Sequence, residues 1–348
     1  MTARLSIVMP VFNHPEELKT MLDSILANTY QDWELLAVDD GSEQETLALL
    51  DQYAAADSRI KAIRRDRQPK GAQTCRNIGM ELAKGEFIIF FDSDDYIAPY
   101  CLEQRVKSLE SRPELDFMVF RNGLYENDKF HTESSRSCYG YPIYADDVEA
   151  FCSRTLPYIV WNNIYRTEAL RKHHITWDEK LLSLQDGDFN LQTLLADLRH
   201  DYAVTPPDYG YRIVGNAGSI SKKRSSTAHL NSHLYSVDKN YRAVQEKFGN
   251  KYNRALYLGA LYIFIMAFAT KSHHEQALRL ASIVGRHSPG YGLLFSAKIK
   301  LHHLLCHICP DSLAKKIAVA DYSVMSRFRQ WQGDKRRKQS EEALAYIR

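Results

Sequence analysis

The first 125 residues alternate short apolar runs with helical patterns, and this alternation constrains the fold more than any other feature of the chain. Strands separated by helices feed a parallel sheet through βαβ crossovers. Leu5 to Val11 reads as the first strand. Pro15, Glu16 and Glu17 open a helix with first-turn chemistry, and Leu18, Met21, Leu22, Ile25 and Leu26 recur at the spacing of one apolar face that covers the sheet. Leu35 to Val38 and Ile60 to Ile63 are expected as strands two and three. Gly71 to Lys84 is expected as a helix with Cys75, Ile78 and Leu82 inward, Phe87 to Phe91 as strand four, and Asp116 to Phe120 as a fifth strand. Residues 121 to 154, polar and rich in Tyr, Ser and Asp, read as a long excursion across the surface. Periodicity returns near Val160. A helix from about Gln185 to Leu198 and short strands near Tyr202 to Val204 and Tyr209 to Val214 complete the first domain. From Thr227 to Arg329 only helical patterns remain, with breaks near Gly249, Ser272, Pro289 and Pro310. The expected organisation is an α/β domain over residues 1–224 and a helical C-terminal region with a basic tail over 225–348.

At about 150 residues per domain, 348 residues fit this division, and 45% apolar with 25% charged residues is ordinary globular usage. The net charge of +2 excludes whole-protein attraction to nucleic acid. The charge is nevertheless segregated: residues 315–338 carry eight Lys and Arg against two Asp, a local +6. Such a run is a solvated helix face or a contact for anionic lipid headgroups. Six cysteines without a regular framework fit a reducing compartment, and the apolar stretch Leu5 to Val11 is too short for a signal peptide, so a cytoplasmic location is expected. The longest uncharged stretch, Ala255 to Thr270, has 16 residues against the roughly 20 needed to span a bilayer, and reads as a buried helix.

The strongest chemical signal is Phe87-Ile88-Ile89-Phe90-Phe91 running into Asp92-Ser93-Asp94-Asp95. Three carboxylates at the end of a buried strand lie at the sheet edge where open α/β folds bind ligands. Crowded like charges call for a counter-cation, and hard oxygen donors suit Mg²⁺ or Mn²⁺ bridging to substrate phosphates. A cap on the following helix would need only one Asp. A second pair, Asp39-Asp40, ends strand two before Gly41-Ser42; one carboxylate there can accept hydrogen bonds from a nucleobase or ribose, or the pair makes an Asp-Gly turn. Arg76-Asn77 adds a cation and an amide near the same edge.

These residues resemble a known family. LSIVMPVFN (Leu5 to Asn13), VDDGS (Val38 to Ser42), RNIG (Arg76 to Gly79), AKGE (Ala83 to Glu86) and FDSDDY (Phe91 to Tyr96) stand in the order and spacing of family 2 glycosyltransferases of GT-A fold, of the bacterial surface-polysaccharide type. The resemblance resumes at VWNNIYR (Val160 to Arg166), DGDF (Asp186 to Phe189) and YRIVGNAGSIS (Tyr211 to Ser221), and covers about two-thirds of the chain, leaving the helical C-terminus outside. It implies an inverting, metal-dependent transfer of a sugar from a nucleotide donor, usually a UDP-sugar, to a hydroxyl of a saccharide acceptor, lipid-linked in many such pathways. By motif, Pro10, Phe12 and Asp40 would line the nucleotide pocket with Arg76 nearby. Asp92 would face the ribose, and Asp94, with Asp92, would hold Mn²⁺ or Mg²⁺. Asp186 matches the base that deprotonates the acceptor. The family usually has Glu-Asp at that point, whereas this chain has Gln185-Asp186 and a further acid at Asp188 that could serve instead. Losing one charge lessens the like-charge effect on the neighbouring carboxyl.

The same residues admit two rival readings. An aspartate phosphohydrolase also opens with an apolar strand ending in Asp-x-Asp, but on its first strand. A non-catalytic nucleotide-sugar-binding module would recruit partners through the helical tail. Cys306-His307-Ile308-Cys309 with His302 and His303 has metal-like spacing in Leu-rich surroundings that suit a core helix. Trp161 with Tyr139, Tyr141 and Tyr144 could stack on sugar rings or simply pack. The expected setting is the inner face of the plasma membrane, approached peripherally.

Overall fold

The computed structural model describes residues 3–133, 139–143, 146–212, 226–269 and 271–310, with scattered positions up to 342. The junction expected at 224/225 and most of the basic segment 315–338 lie outside these residues, as does most of the YRIVGNAGSIS motif. Strands β1 (Leu5–Val11), β2 (Trp33–Asp39) and β4 (Phe87–Phe90) are buried along their whole length. Such continuous apolar runs belong to a sheet covered on both faces. With β3 (Ile60–Arg64), the order is β3-β2-β1-β4, all parallel. The covering helices are α1 (Pro15–Leu26), α2 (Gln44–Ala56) and α3 (Ala72–Leu82). Chain order reverses direction between β1 and β4, which creates a topological switch point at their carboxyl ends.

The sheet then becomes mixed. β9 (Asn163–Arg166) inserts antiparallel between β4 and β6 (Phe117–Val119), and β10 (His200–Tyr202) closes the edge parallel to β6. A second sheet joins β5 (Tyr96–Ile97), β11 (Tyr209–Tyr211), β7 (Asn122–Glu126) and β8 (Lys129–His131). Described residues toward both ends of 121–154 therefore depart from the surface excursion their polarity implied, while the hairpin of β7 and β8, 124–133, is half-buried to exposed as expected. Arg121 and Asn122 are buried, and α5 (Asp147–Cys152) sends Phe151 into the core. Asn122 accepts from the Tyr139 amide at 2.9 Å, and the Arg121 guanidinium lies 5.5 Å from the centre of the Tyr141 ring.

Three helices not expected from the sequence also appear: α2, α6 (Thr167–Lys172) and α4 (Cys101–Glu110), whose inward face carries Arg105. Arg105 is fully buried, donates to both carboxylate oxygens of Asp208 (2.9 and 2.6 Å) and to the Trp161 carbonyl (2.7 Å).

The C-terminal region is helical as expected: α8 (Thr227–Phe248), α9 (Asn253–Ile263) continued by a π-turn through Phe268, α10 (His274–His287) and α11 (Pro289–Ile308). The 16-residue uncharged stretch falls in α9 and the π-turn, with Leu256, Ala260, Leu261 and Phe264 buried; Thr270 is outside the described residues. Among the described residues no helix is long and apolar enough to cross a membrane. These helices share one apolar core with the sheet, a cluster running from Val8, Ile88 and Phe90 through Phe189 and Leu234 to Phe295 and Ile299.

Candidate active site

The carboxyl ends of β1, β2 and β4 and the start of α7 (Gln185–Leu195) meet at one cleft of about 280 Å³. Pro10, Phe12, Asp40, Arg76, Asp92, Asp94 and Asp186 all line it, so the seven residues matched by motif to donor, metal and base roles converge there. His14, Ala72, Ser93 and Gln185 contribute to the same lining.

Local structure explains the convergence. After β1 the chain turns through Asn13 and His14, both at positive φ (56° and 57°). Asn13 is fixed to the loop after β2: its amide donates to Ser42 Oγ (2.9 Å), and its Oδ1 accepts from the Glu43 amide (2.9 Å). Phe12, 45% exposed, projects at the rim with the Lys70 ammonium 3.8 Å above its ring. The two acids after β2 divide the roles proposed for them. Asp39 makes the turn, accepting from the amides of Gly41 (2.9 Å) and Ser42 (3.2 Å), and Gly41 sits at φ 85°, where a side chain is strained. Asp40 faces the cleft and is held through Oδ1 by Arg65 (2.7 Å) and the Gly71 amide (3.0 Å). Gly79 of α3 approaches β1 so closely that a Cβ would lie 2.3 Å from Val8 Cγ1, which seats Arg76 at the sheet edge.

The three acids after β4 also separate. Asp95 is buried and structural: it accepts from Tyr209 Oη (2.6 Å) and the Arg212 amide (2.7 Å), pinning β11 beneath the loop. Asp92 accepts from Arg76 Nη2 at 2.6 Å. Asp94 pairs with no cation among the described residues, and burial together with the charge of Asp92 pushes its carboxyl up to about 6. A bound divalent cation would reverse both causes, and the hard carboxylate oxygens are the donors that Mg²⁺ or Mn²⁺ prefers. The described residues present no group of three or more His, Cys, Asp or Glu side chains placed around a metal. Donors beyond the acid pair would thus come from substrate phosphate and water.

Across the cleft, Leu184 at φ 64° turns the chain into α7 and presents Asp186 in its first turn. Burial raises the Asp186 carboxyl to about 6, with the Arg76 guanidinium opposing and Asp92 adding to the rise. Asp188, the alternative base, is buried away from the cleft and accepts from Lys239 of α8 (2.8 Å) and Gln192 (2.8 Å).

Residues 6–173 match the family described as "Glycosyl transferase family 2". Residues 6–173 are therefore a glycosyl transferase family 2 domain. The "Putative glycosyltransferase EpsH" of Bacillus subtilis is 27% identical over 243 residues, 69% of this chain and 64% of EpsH. The Escherichia coli enzyme WfgD, named a UDP-Glc:alpha-D-GlcNAc-diphosphoundecaprenol beta-1,3-glucosyltransferase, is 36% identical over 122 residues, 35% of this chain and 46% of WfgD. The chain thus spans less than two-thirds of these relatives' lengths. Among solved structures, S. aureus TarS 1-349 in complex with UDP-GlcNAc aligns with a TM-score of 0.67 at 17% identity, covering 92% of each chain. That likeness establishes a shared GT-A fold, helical C-terminal region included.

The motifs assign no role to the residues that join the two walls of the cleft. Trp177 lies 4.4 Å from the Arg76 guanidinium and stacks on Phe189 of α7 (4.4 Å, 19°). Asn77 clamps the Trp177 backbone, donating to its carbonyl and accepting from its amide, both at 2.9 Å. Asn77 was visible only as part of RNIG. Trp177, about 100 residues away in the chain, carried no signal. The aromatic residues considered for sugar stacking pack instead. Trp161 is buried against Tyr209 (4.5 Å, 10°), Tyr139 meets its edge (5.7 Å), Tyr141 is buried, and Tyr144 lies outside the described residues. Cys306 and His302 are buried on the inner face of α11.

Proposed function

We propose that the chain is an inverting glycosyltransferase that moves a sugar from a UDP-sugar to a hydroxyl of a saccharide acceptor during synthesis of a surface glycan such as a capsule, lipopolysaccharide or exopolysaccharide. The observation that carries the proposal is one cleft lined on one wall by Asp92 and Asp94 and on the other by Asp186. A donor diphosphate belongs with the first wall and an acceptor hydroxyl with the second. The UDP-GlcNAc bound in TarS and the donor in the name of WfgD support a UDP-sugar. The diphosphoundecaprenol in that name supports a lipid-linked acceptor, and in this reading the protein meets it peripherally at the inner face of the plasma membrane.

In this reading Pro10 and Phe12 cover the nucleobase, and Asp40, its Oδ1 already fixed by Arg65, accepts from base or ribose. Arg76 orients Asp92 toward the ribose. Asp94, with Asp92, would hold Mn²⁺ or Mg²⁺, whose charge offsets that developing on the departing diphosphate. Asp186 takes the proton of the acceptor hydroxyl as that oxygen attacks the anomeric carbon from the side opposite the leaving diphosphate. A carboxyl held near 6 is ionised at neutral pH yet more basic than a free aspartate, which suits it to this proton. A purely binding module has no use for such a group. A phosphohydrolase would place its Asp pair on the first strand, whereas here the pair comes after β4.

The test is a panel of UDP-sugars with Mn²⁺ or Mg²⁺, scoring UDP release with and without candidate saccharides. One donor should be consumed faster when its acceptor is present. Tight UDP binding without turnover on any donor and acceptor would favour the binding module.

A further inference from the structure

α11 presents its outer face to solvent as an apolar stripe. Leu293 is 75% exposed, Ile308 69%, Leu294 60%, Leu304 58% and Leu301 53%, while the inner face, Phe295, Ile299, His302 and Cys306, packs on the molecule. At about 100° per residue, Leu293, Leu304, Ile308, Leu301 and Leu294 fall in that angular order within an arc of about 100° with no polar residue between them. Lys300 and His307 border one edge of the arc and Lys298 the other. From Leu293 to Ile308 the stripe runs about 22 Å along the helix at about 1.5 Å per residue.

Single exposed leucines are ordinary, but a contiguous apolar face of this length on a soluble surface marks an interaction site. The flanking charges decide its partner. The long Lys300 side chain beside the apolar arc reaches up to headgroups while the arc sinks to the acyl boundary, the arrangement of a helix lying in a bilayer interface. A second protein copy would need the lysines of two identical faces to meet or to find acids, and the described part of α11 carries no Asp or Glu. The chain beyond α11 adds the +6 segment 315–338, whose sign matches an anionic leaflet.

We propose that the outer face of α11 is a membrane-docking surface that seats Leu293, Leu294, Leu301, Leu304 and Ile308 in the interface of an anionic bilayer without crossing it. The proposal deepens the membrane setting suggested for the acceptor, and its test needs neither donor nor acceptor, so it stands or falls apart from the transferase reading.

The experiment is flotation of the full chain with protein-free vesicles of phosphatidylcholine containing 0 or about 30% phosphatidylglycerol, at low and high salt, for the wild type and for Leu301→Glu/Leu304→Glu/Ile308→Glu. Wild-type protein should float with the anionic vesicles and keep a salt-resistant fraction. The triple variant, confirmed folded by an unchanged thermal transition, should lose at least tenfold in vesicle binding and lose the salt-resistant fraction. In Leu304→Trp, indole emission should shift blue with anionic vesicles and be quenched by brominated acyl chains. Equal binding by wild type and triple variant, or binding fully abolished by salt, would assign attachment to the basic tail alone and overturn the proposal. A concentration-dependent dimer that the triple variant dissolves, without lipid binding by the wild type, would overturn it in favour of a second copy.

Discussion

Replacing Asp186 with Asn keeps the size of the side chain and removes its proton acceptor, so the effects on chemistry and on stability can be worked out separately. As general base, Asp186 contributes about 10²–10⁴ in turnover, or about 3–5 kcal/mol of transition-state stabilisation at 1.36 kcal/mol per decade. The donor-side contacts through Asp40, Arg76 and Asp92 are untouched, because Arg76 remains paired with Asp92 at 2.6 Å. Donor affinity should therefore change by less than about threefold while kcat falls. The pH dependence has a definite sign. With the carboxyl raised to about 6, wild-type kcat should fall as pH falls through 6, reaching about a tenth of its plateau near pH 5; the variant should lack this limb. Stability moves the other way. Raising the carboxyl from an ordinary 3.8 to about 6 makes the native state hold a proton that the unfolded chain has lost over that window. The ionised form therefore carries a cost of at most about 3 kcal/mol, fully present above pH 6. The neutral amide of Asp186→Asn relieves it, so the variant should melt about 2–5 °C higher at pH 7.5, a gain that shrinks toward pH 4. The assay is UDP release at saturating donor across pH 4.5–8.5, with calorimetric UDP binding and thermal melts over the same range. Retention of more than a tenth of wild-type turnover with the acid limb intact would refute the assignment of the base.

Asp94→Ala should abolish the strengthening of UDP binding by Mn²⁺ or Mg²⁺, measured by calorimetry with and without chelator, because it removes the unpaired carboxylate that a cation would stabilise. Asp188→Asn should leave turnover within about threefold of wild type and change stability by no more than about 1 kcal/mol in urea melts, because burial already raises its carboxyl and opposes the ion pair. Lys239 loses a charged partner at 2.8 Å but keeps Asp178 at 2.7 Å. Arg105→Met should cost about 3–5 kcal/mol in the same melts, since it strands the fully buried Asp208 carboxylate. A smaller loss there would mean that water reaches the pair.

The central strands and the cleft were legible because a doubly covered parallel strand must be a continuous apolar run, and the residues next in the chain lie at its carboxyl end. β1, β2 and β4 are set by that rule, and the acids after β2 and β4 fall at one edge as a consequence; α3 forms where expected with Cys75 and Ile78 buried, but Leu82, expected inward, is exposed. Spacing could not say which acid of each group faces the cleft. Asp39 and Asp95 turn out to serve the fold and Asp40, Asp92 and Asp94 to line the cleft, because hydrogen-bond donors from distant segments, such as Tyr209, select among chemically equal neighbours. α4 escaped for a related reason. Its inward Arg105 interrupts the apolar face and makes sense only beside Asp208, about 100 residues on. Residues 121–154 read as surface because polarity was taken as exposure, and buried polar side chains with partners break that equation.

Gln185 couples the two walls of the cleft without a charge. Its Nε2 donates to Gln73 Oε1 of α3 (2.9 Å) and to the Leu181 carbonyl (3.1 Å). An ionised glutamate can donate to neither, so in this chain the position ties the wall that carries Arg76 to the wall that carries Asp186 through an amide. The stack of Arg76, Trp177 and Phe189 makes the same connection a layer deeper. With no second carboxylate beside it, Asp186 has its basicity set by burial and by Asp92, against the one opposing cation, Arg76. Arg76 also holds Asp92, the residue proposed to face the donor ribose. Ligand at the donor wall that draws Asp92 or its guanidinium partner away from Asp186 would therefore alter the proton affinity of the base. The two halves of the proposed reaction are thus coupled electrostatically through the buried Arg76.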